Sequence, residues 1–253
     1  MIGVYDSGLG GLTVLRYLRQ RMPQADLLYL GDTVHLPYGE KPPSLLRKYA
    51  EDAFQFFRAH GVSALIVACG TVSTVVLEDR ACNDGFPILG VARPAADRLR
   101  SLGCKRIALL ATEATVASGV YERLLQCPGV KLFSLACPHL VPLAESGRMP
   151  RGRRLLNVLE RELHPLRDFS PDSILLGCTH FPLFEEAIAA LYPSAVIVDC
   201  GRTAAELLDP ERYGCGDGRS VYCVTGSPAR FHAVAGQLFS FDAKDLHQIE
   251  LSK

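Results

Sequence analysis

The chain has 253 residues, of which 48% are hydrophobic and 21% charged, a composition typical of folded globular proteins. Lysine and arginine together number 27, as do aspartate and glutamate, so no net basic field exists to hold nucleic acid or an anionic membrane. The first residues lack the pattern of a secretion signal, and no apolar run is long enough to span a bilayer. We therefore expect a cytoplasmic protein with free thiols, without a membrane or nucleic-acid partner.

Short apolar runs alternate with amphipathic segments along the whole chain, which predicts an α/β fold with mostly parallel sheets flanked by helices. In chain order, the predicted strands are 2–5, 27–30, 64–68, 88–91, 107–111, 130–133, 174–176 and 196–198. The predicted helices are 12–21, 44–60, 95–102, 118–125, 152–163 and 183–191. Because the strands are continuously apolar, we expect helices to cover both faces of each sheet.

Two strand endings resemble each other across the chain. Residues 65–69 and 174–178 each form an apolar run that ends in a small residue and a cysteine, with an offset of 109 residues. We interpret this spacing as a duplicated α/β unit, which predicts two pseudo-symmetric lobes. Ligands of open α/β sheets bind beyond the carboxyl ends of the strands. Cys69 and Cys178 are therefore expected to face one cleft between the lobes.

The second strand ending leads into a cluster of reactive side chains. Cys178, Thr179 and His180 supply a thiol, a hydroxyl and an imidazole in succession, and the imidazole suits a role as proton partner of the thiol. Cys69 precedes a predicted helix start, where the helix dipole is expected to lower the pKa of its thiol. A metal site and a Cys–His hydrolase are alternatives. A metal needs ligands that the local sequence lacks, and a hydrolase has no use for a second, equivalent cysteine.

A pair of thiols on opposite walls of a cleft suits the inversion of a Cα centre. Inversion requires removal of a proton from one face and delivery of a proton to the other, which two monoprotic groups perform in both directions. The sequence has no recognisable pyridoxal-lysine context or nucleotide-binding loop, so the expected chemistry uses no cofactor. Residues 6–11 are rich in glycine but match neither the dinucleotide-binding pattern G-x-G-x-x-G nor the Walker A loop. For this loop, anion binding and a simple turn with Ser7 as helix cap both remain open.

Several blocks of the sequence resemble glutamate racemases. These blocks are 6–15, 30–33, 37–39, 69–71, 111–119, 142–145, 177–183 and 225–231, in the same order over nearly the whole chain. The resemblance implies a first lobe of residues 1–92 and 205–253, a second lobe of residues 93–204, and an active site between them. It also implies the cofactor-independent interconversion of L- and D-glutamate, which supplies D-glutamate for peptidoglycan and hence for cell-wall biogenesis and cell shape.

The resemblance further assigns roles by position. Cys69 would be the base acting on the D-enantiomer and Cys178 the base acting on the L-enantiomer. The residues that assist the two thiols would be Asp6, His180 and Glu145. The residues that hold the substrate would be Asp6, Ser7, Tyr38, Gly39, Gly70, Thr71, Thr179 and His180. No metal is implied, and the existence of a homodimer is left open.

Gly70 departs from the family pattern, which has asparagine between this cysteine and threonine. Loss of a hydrogen bond to a charged carboxylate costs about 1.5–3 kcal/mol. Spread over substrate binding and the transition state, this cost corresponds to roughly a 10- to 150-fold loss of activity. We therefore expect weakened or altered activity, and we expect Gly70→Asn to raise kcat/KM for glutamate. Racemisation of aspartate or another acidic amino acid, and a regulatory binding role with little turnover, are the alternatives.

Overall fold

A computed structural model describes residues 1–78, 85–237, 239, 241 and 243–251. The strands in this part of the chain are β1 Ile2–Asp6, β2 Leu27–Gly31, β3 Ala64–Val67, β4 Ile88–Gly90, β5 Arg106–Ala111, β6 Lys131–Ala136, β7 Ser173–Leu176, β8 Val196–Asp199, β9 Ser220–Val224 and β10 Leu246–Gln248. The α-helices are α1 Gly11–Arg21, α2 Pro43–Ala59, α3 Gly70–Val72, α4 Ala92–Ser101, α5 Glu113–Ala117, α6 Val120–Leu125, α7 Leu140–Glu145, α8 Arg153–Glu162, α9 Glu185–Leu191, α10 Cys200–Glu206, α11 Pro210–Tyr213 and α12 Pro228–Ala235.

The strands form two sheets in which all neighbouring strands are parallel. The first sheet has the order β10-β9-β2-β1-β3-β4, and the second has the order β6-β5-β7-β8. The residues of β1, β3 and β7 are fully buried, because helices cover both faces of the sheets as the continuous apolar runs predicted. The predicted α/β class is confirmed.

The duplicated sequence pattern corresponds to a duplicated topology. The order β2-β1-β3-β4 in the first sheet is matched by β6-β5-β7-β8 in the second. Leu65 pairs with Ile88, and Ile174 pairs with Ile197, so both members of the pair are shifted by the same 109 residues. Cys69 and Cys178 therefore follow corresponding strands, β3 and β7. Carboxyl ends of parallel strands lie at one edge of a sheet, which places each thiol at such an edge.

Some elements lie where the sequence predicted none. Strands β9 and β10 extend the first sheet, with β9 paired to β2, so the final segment packs on the sheet that contains β1. Helices α7 and α10 were also missed. Conversely, the predicted helix 118–125 corresponds only to α6, because Gly119 adopts a left-handed conformation with φ 62° and separates α6 from α5.

The two sheets share one apolar core. Buried residues of β1, such as Ile2, belong to the same cluster as Leu109 of β5 and Leu175 of β7, and α10 packs against both α1 and α4. We propose that the lobes comprise residues 1–92 with 205–253 and residues 93–204, with boundaries inside α4 and α10. The eight cysteines that the structure describes are unpaired; Cys82 lies outside the described residues. None of the described helices has the length and apolar character of a membrane span.

Candidate active site

Cys69 follows β3 and is the residue before α3. Its side chain is 5% exposed, and its thiol donates to Ser7 Oγ at 3.7 Å. Burial, together with the nearby carboxylate of Asp6, raises the pKa of Cys69 to about 12. The expectation that the helix start lowers this pKa is therefore wrong. Helix α3 has only three residues, and burial of the thiol outweighs the backbone hydrogen bond from Val72 that favours the thiolate.

Cys178 begins a chain of hydrogen-bonded groups in the second lobe. Its Sγ lies 3.7 Å from Nδ1 of His180, and Nε2 of the same imidazole lies 2.7 Å from Oε1 of Glu145. Burial alone disfavours protonation of His180, but contact with Cys178 and Glu145 outweighs burial and raises the pKa of the imidazole well above its usual value. The imidazole is thus suited to carry a positive charge between a thiolate and a carboxylate.

Asp6 lies at the end of β1 and links the lobes. Its carboxylate accepts hydrogen bonds from Gly8 N and from Thr179 Oγ1, both at 2.9 Å. Burial raises the pKa of Asp6, and the charge of His180 partly opposes that effect. The Thr179 hydroxyl proton is therefore directed at Asp6 in this structure, so that hydroxyl is available to a ligand only as an acceptor or after rotation.

The glycine-rich loop after β1 contacts the second lobe. Leu9 N donates to Glu145 Oε1 at 2.8 Å, so the backbone of this loop binds the carboxylate that also holds His180. Helix α1 is preceded by Gly10 and has no side-chain cap. Ser7 as a helix cap, one of the two alternatives left open for this loop, is therefore not observed at α1; the Ser7 hydroxyl accepts from Cys69.

A single cavity brings most of the expected residues together. Both thiols line it. The other expected residues that line it are Ser7, Tyr38, Gly39, Gly70, Thr71, Thr179 and His180. Asp6 and Glu145 are not among its lining residues and act on it through Thr179 and His180. In the part of the chain that is described, no group of three His, Cys, Asp or Glu side chains is arranged to hold a metal ion.

Tyr38 lines the cavity, and its hydroxyl is hydrogen-bonded to other protein groups. The phenol donates to Asp32 Oδ2 at 2.5 Å and lies 2.8 Å from the hydroxyl of Tyr5. The fully buried Asp32 also accepts from Thr225 Oγ1 at 2.7 Å and contacts His35 Nδ1 at 2.8 Å. Asp32 thereby fixes the turn that carries Tyr38 and Gly39. Its role was not predicted, although it lies in one of the blocks that resemble the family.

Thr112 is a cavity residue to which the sequence assigned no role. Its hydroxyl lies 3.0 Å from the hydroxyl of Thr71 and also caps α5 by accepting from Thr115 N at 3.3 Å. The contact joins the first lobe to the second across the cavity. The cavity is also lined by Leu36, Pro37, Glu40, Glu113, Cys137, Pro138, Val141 and Pro142. Pro37, Glu113 and Pro142 lie in blocks that resemble the family, whereas the others are identified only by their proximity in space.

Gly70 is packed against the second lobe rather than beside an open space. A Cβ atom at this position would overlap the carbonyl oxygen of Gly177, a backbone atom. An asparagine at residue 70 therefore cannot be accommodated unless the two strand ends move apart. This contact gives a physical reason against the expected gain of activity from Gly70→Asn.

Comparisons with known proteins place this geometry in context. A model of the Asp/Glu/Hydantoin racemase family matches residues 13–208. The chain is similar to the glutamate racemase of Thermus thermophilus, with 39% identity over 249 residues, which cover 94% of this chain and 91% of that protein.

Solved structures agree with the sequence relatives. The fold resembles glutamate racemase from Thermus thermophilus in complex with β-chloro-D-alanine, with a TM-score of 0.85 and 36% identity, covering 99% of this chain and 96% of that chain. It also resembles glutamate racemase from Francisella tularensis subsp. tularensis in complex with D-glutamate, with a TM-score of 0.87 and 26% identity, covering 99% of this chain and 97% of that chain.

Proposed function

Because the chain belongs to the Asp/Glu/Hydantoin racemase family, we propose that it interconverts L- and D-glutamate by moving the Cα proton between two thiols. One observation carries this proposal: Cys69 and Cys178 follow corresponding strands of different sheets and line the same cavity. Two monoprotic groups that face one small cavity from different lobes are what a two-base inversion requires.

In the L-to-D direction, Cys178 acts as a thiolate base and Cys69 as a thiol acid. The Cα–H bond of L-glutamate breaks, its electron pair is delocalised into the α-carboxylate, and an S–H bond forms on Cys178. Cys69 then delivers its thiol proton to the opposite face, which yields D-glutamate and leaves Cys69 as a thiolate. D-to-L conversion uses the same groups in reversed roles. Proton exchange with solvent resets the thiols for another turnover in the same direction.

The neighbours of the thiols support these assignments. With a pKa of about 12, Cys69 is a thiol at neutral pH, which suits it to donate a proton after L-glutamate binds. His180, with its raised pKa, stabilises a thiolate at Cys178 by holding a positive charge 3.7 Å from the sulfur. The carboxylate of Asp6 disfavours a thiolate at Cys69. Because its pKa is about 12, the Cys69 thiolate formed during turnover is a strong base toward the Cα proton of D-glutamate.

The same cavity supplies hydrogen-bonding groups for two carboxylates. We assign this binding role to the hydroxyls of Ser7 and Thr71, to backbone N–H groups at Gly39 and Gly70, and to the Thr179 hydroxyl once it rotates away from Asp6. These residues line the cavity with the thiols, and N–H and O–H donors are the usual ligands of a carboxylate where no cation is present. Tyr38 lines the cavity, while Asp6 and His180 provide charge.

The proposal extends to the cellular role. A D-glutamate supply serves peptidoglycan synthesis, and with it cell-wall biogenesis and cell shape, in the cytoplasm where the precursors are made. We propose no nucleic-acid or membrane partner. Association into a homodimer is a separate matter, which size-exclusion chromatography with light scattering measures directly.

Circular dichroism of L- and D-glutamate with purified protein and no added cofactor tests the proposal. We expect optical activity to decay to zero from either enantiomer, and L-aspartate in the same assay to react more slowly. Cys69→Ala and Cys178→Ala should each lower the rate by about 10²- to 10⁴-fold, because each removes one acid/base group. Cys223→Ala, at a buried thiol in β9, is the matched control and should retain activity. An inactive wild-type protein, or full activity of either cavity variant, would contradict the mechanism.

A further inference from the structure

The segment that carries Cys178 is held between two glycines of the first lobe. On one side, a Cβ at Gly70 would overlap the carbonyl oxygen of Gly177. On the other side, a Cβ at Gly10 would lie 2.5 Å from Nδ1 of His180 and 2.6 Å from Oγ1 of Thr179. Real Cβ atoms essentially never approach other heavy atoms closer than 3.0 Å. At Gly10 the neighbours are side chains, whereas at Gly70 the neighbour is backbone, so Gly70 cannot gain a side chain unless the two backbone segments move apart.

The backbone that meets Gly70 has little room to retreat. Gly177 N donates to the carbonyl oxygen of Leu110 at 2.8 Å, which fixes the end of β7 to β5. A Cβ at Gly177 would itself lie 2.7 Å from Cδ1 of Leu109 and 3.1 Å from the same Leu110 oxygen. The end of β7 therefore contacts both β5 and Gly70. Because the atom nearest residue 70 belongs to the backbone, a side chain there would displace one lobe from the other and not merely rotate a neighbouring side chain.

We propose that Gly70 is a positioning residue whose missing side chain sets how closely Cys69 and Cys178 approach across the substrate. Gly70 directly follows Cys69, and Gly177 directly precedes Cys178, so the contact between these glycines lies one residue from each thiol. The inference rests on the proposed function, because only a reaction that needs both thiols at one carbon depends on their separation. A displacement of about 1 Å from a productive geometry costs about 100-fold in rate.

This proposal reverses the expectation that the sequence alone supports. Resemblance to the family suggests that asparagine at residue 70 would restore a lost hydrogen bond. The contact with Gly177 indicates instead that any side chain there separates the thiols. We therefore expect Gly70→Ala and Gly70→Asn both to lower the rate of inversion, with the larger side chain lowering it further.

Deuterium exchange in D₂O distinguishes altered positioning from a general loss of structure. In Gly70→Ala, Cys178 still removes the Cα proton of L-glutamate, while delivery from Cys69 is impaired. The proton held on Cys178 then exchanges with solvent and a deuteron returns to the same face. We expect inversion to fall about 100-fold, and deuterium in recovered L-glutamate per inversion event to rise at least several-fold. Mass spectrometry after chiral separation measures both quantities.

Val62→Ala is the matched control, because Val62 is buried at the opposite end of β3 from Cys69. It should lower the melting temperature while leaving the exchange-to-inversion ratio at the wild-type value. If Gly70→Ala fails to fold, Gly70→Ala/Leu109→Val is compared with Leu109→Val, since the shorter side chain relieves the packing on Gly177. An unchanged ratio in the folded Gly70 variant, or a higher kcat/KM in Gly70→Asn, overturns the positioning role. Wild-type protein that neither exchanges nor inverts glutamate overturns the proposed function itself.

Discussion

The two thiols that we propose as acid/base groups have different electrostatic neighbours. Cys178 contacts an imidazole that is held by Glu145, so a negative charge on its sulfur meets a positive one. Cys69 instead lies near the carboxylate of Asp6, which opposes a thiolate there. Although the strands that carry the thiols correspond, the chemistry around them does not. Under the proposed mechanism, the first proton removal from L-glutamate and from D-glutamate therefore starts from unlike environments.

Glu145→Gln tests the support that the carboxylate gives to His180. Without that charge, the pKa of His180 should fall toward its ordinary value of about 6.5. A raised pKa keeps the imidazole protonated to higher pH, and activity is lost as the pH rises through it. In the variant, that loss should begin at lower pH. Loss of the charge-assisted hydrogen bond should also lower kcat/KM by roughly 10- to 150-fold. The value of kcat/KM should fall equally for L- and D-glutamate, because the equilibrium constant of racemisation is one.

The control for this prediction is a second histidine–glutamate pair. Glu162 Oε2 lies 3.0 Å from Nδ1 of His139, an exposed residue. Glu162→Gln should leave the rate and its pH profile unchanged. An unshifted pH profile in Glu145→Gln would show that His180 does not depend on this carboxylate.

At the residue scale, local clusters were predictable and contacts between the lobes were not. Cys69, Cys178 and His180 were found because reactive side chains follow predicted strands. The pKa of Cys69 was predicted in the wrong direction, since burial of a side chain is not visible in its neighbours along the chain. The contact of Gly70 with Gly177 joins positions 107 residues apart, and no sequence spacing indicates it.

At the scale of elements, strands with continuous apolar runs were predicted close to their observed bounds. The exceptions have physical reasons. Strand β10 has three residues, two of them exposed, so it carries little apolar signal. Helix α10 begins with Cys200 and Gly201, which are weak helix formers, and it depends on its cap. Asp199 accepts hydrogen bonds from Gly201 N at 2.8 Å and from Arg202 N at 3.2 Å.

Asp199→Ala should lower the free energy of unfolding by about 0.5–2 kcal/mol, the usual cost of a lost helix cap. Asp209 caps the exposed helix α11 through Glu211 N at 2.9 Å. Asp209→Ala is therefore the matched control and should lower the free energy of unfolding by less.

Burial raises the pKa of Asp199. The stability that comes from this raised pKa is present below the ordinary pKa of aspartate and is lost as the pH rises through the raised value. Asp199→Asn keeps a cap acceptor without charge and should therefore be at least as stable as wild type at pH 7. Urea unfolding of the three variants measures these differences.

At the scale of the whole molecule, the cavity couples the two sheets. Its lining residues come from both lobes, so a bound substrate links them and favours the folded state. Glutamate at about 100 times its Kd should stabilise the protein by about 2.7 kcal/mol, which raises Tm by roughly 5–10 °C for a chain of this size. Differential scanning fluorimetry measures the shift. Lysine at the same concentration is the control, and an equal shift with lysine would contradict recognition of the side-chain carboxylate in the cavity.

The order of strands in the first sheet affects biosynthesis. All four strands of the second sheet lie within residues 106–199, whereas the first sheet joins β1–β4 to β9 and β10 at residues 220–248. During translation, the second sheet has all its strands while the first still lacks its last two. Until β9 emerges from the ribosome, one edge of β2 has no partner strand. This apolar strand, which is buried in the folded protein, can then pair with other nascent chains. Aggregation of truncated or stalled products should therefore begin at that edge.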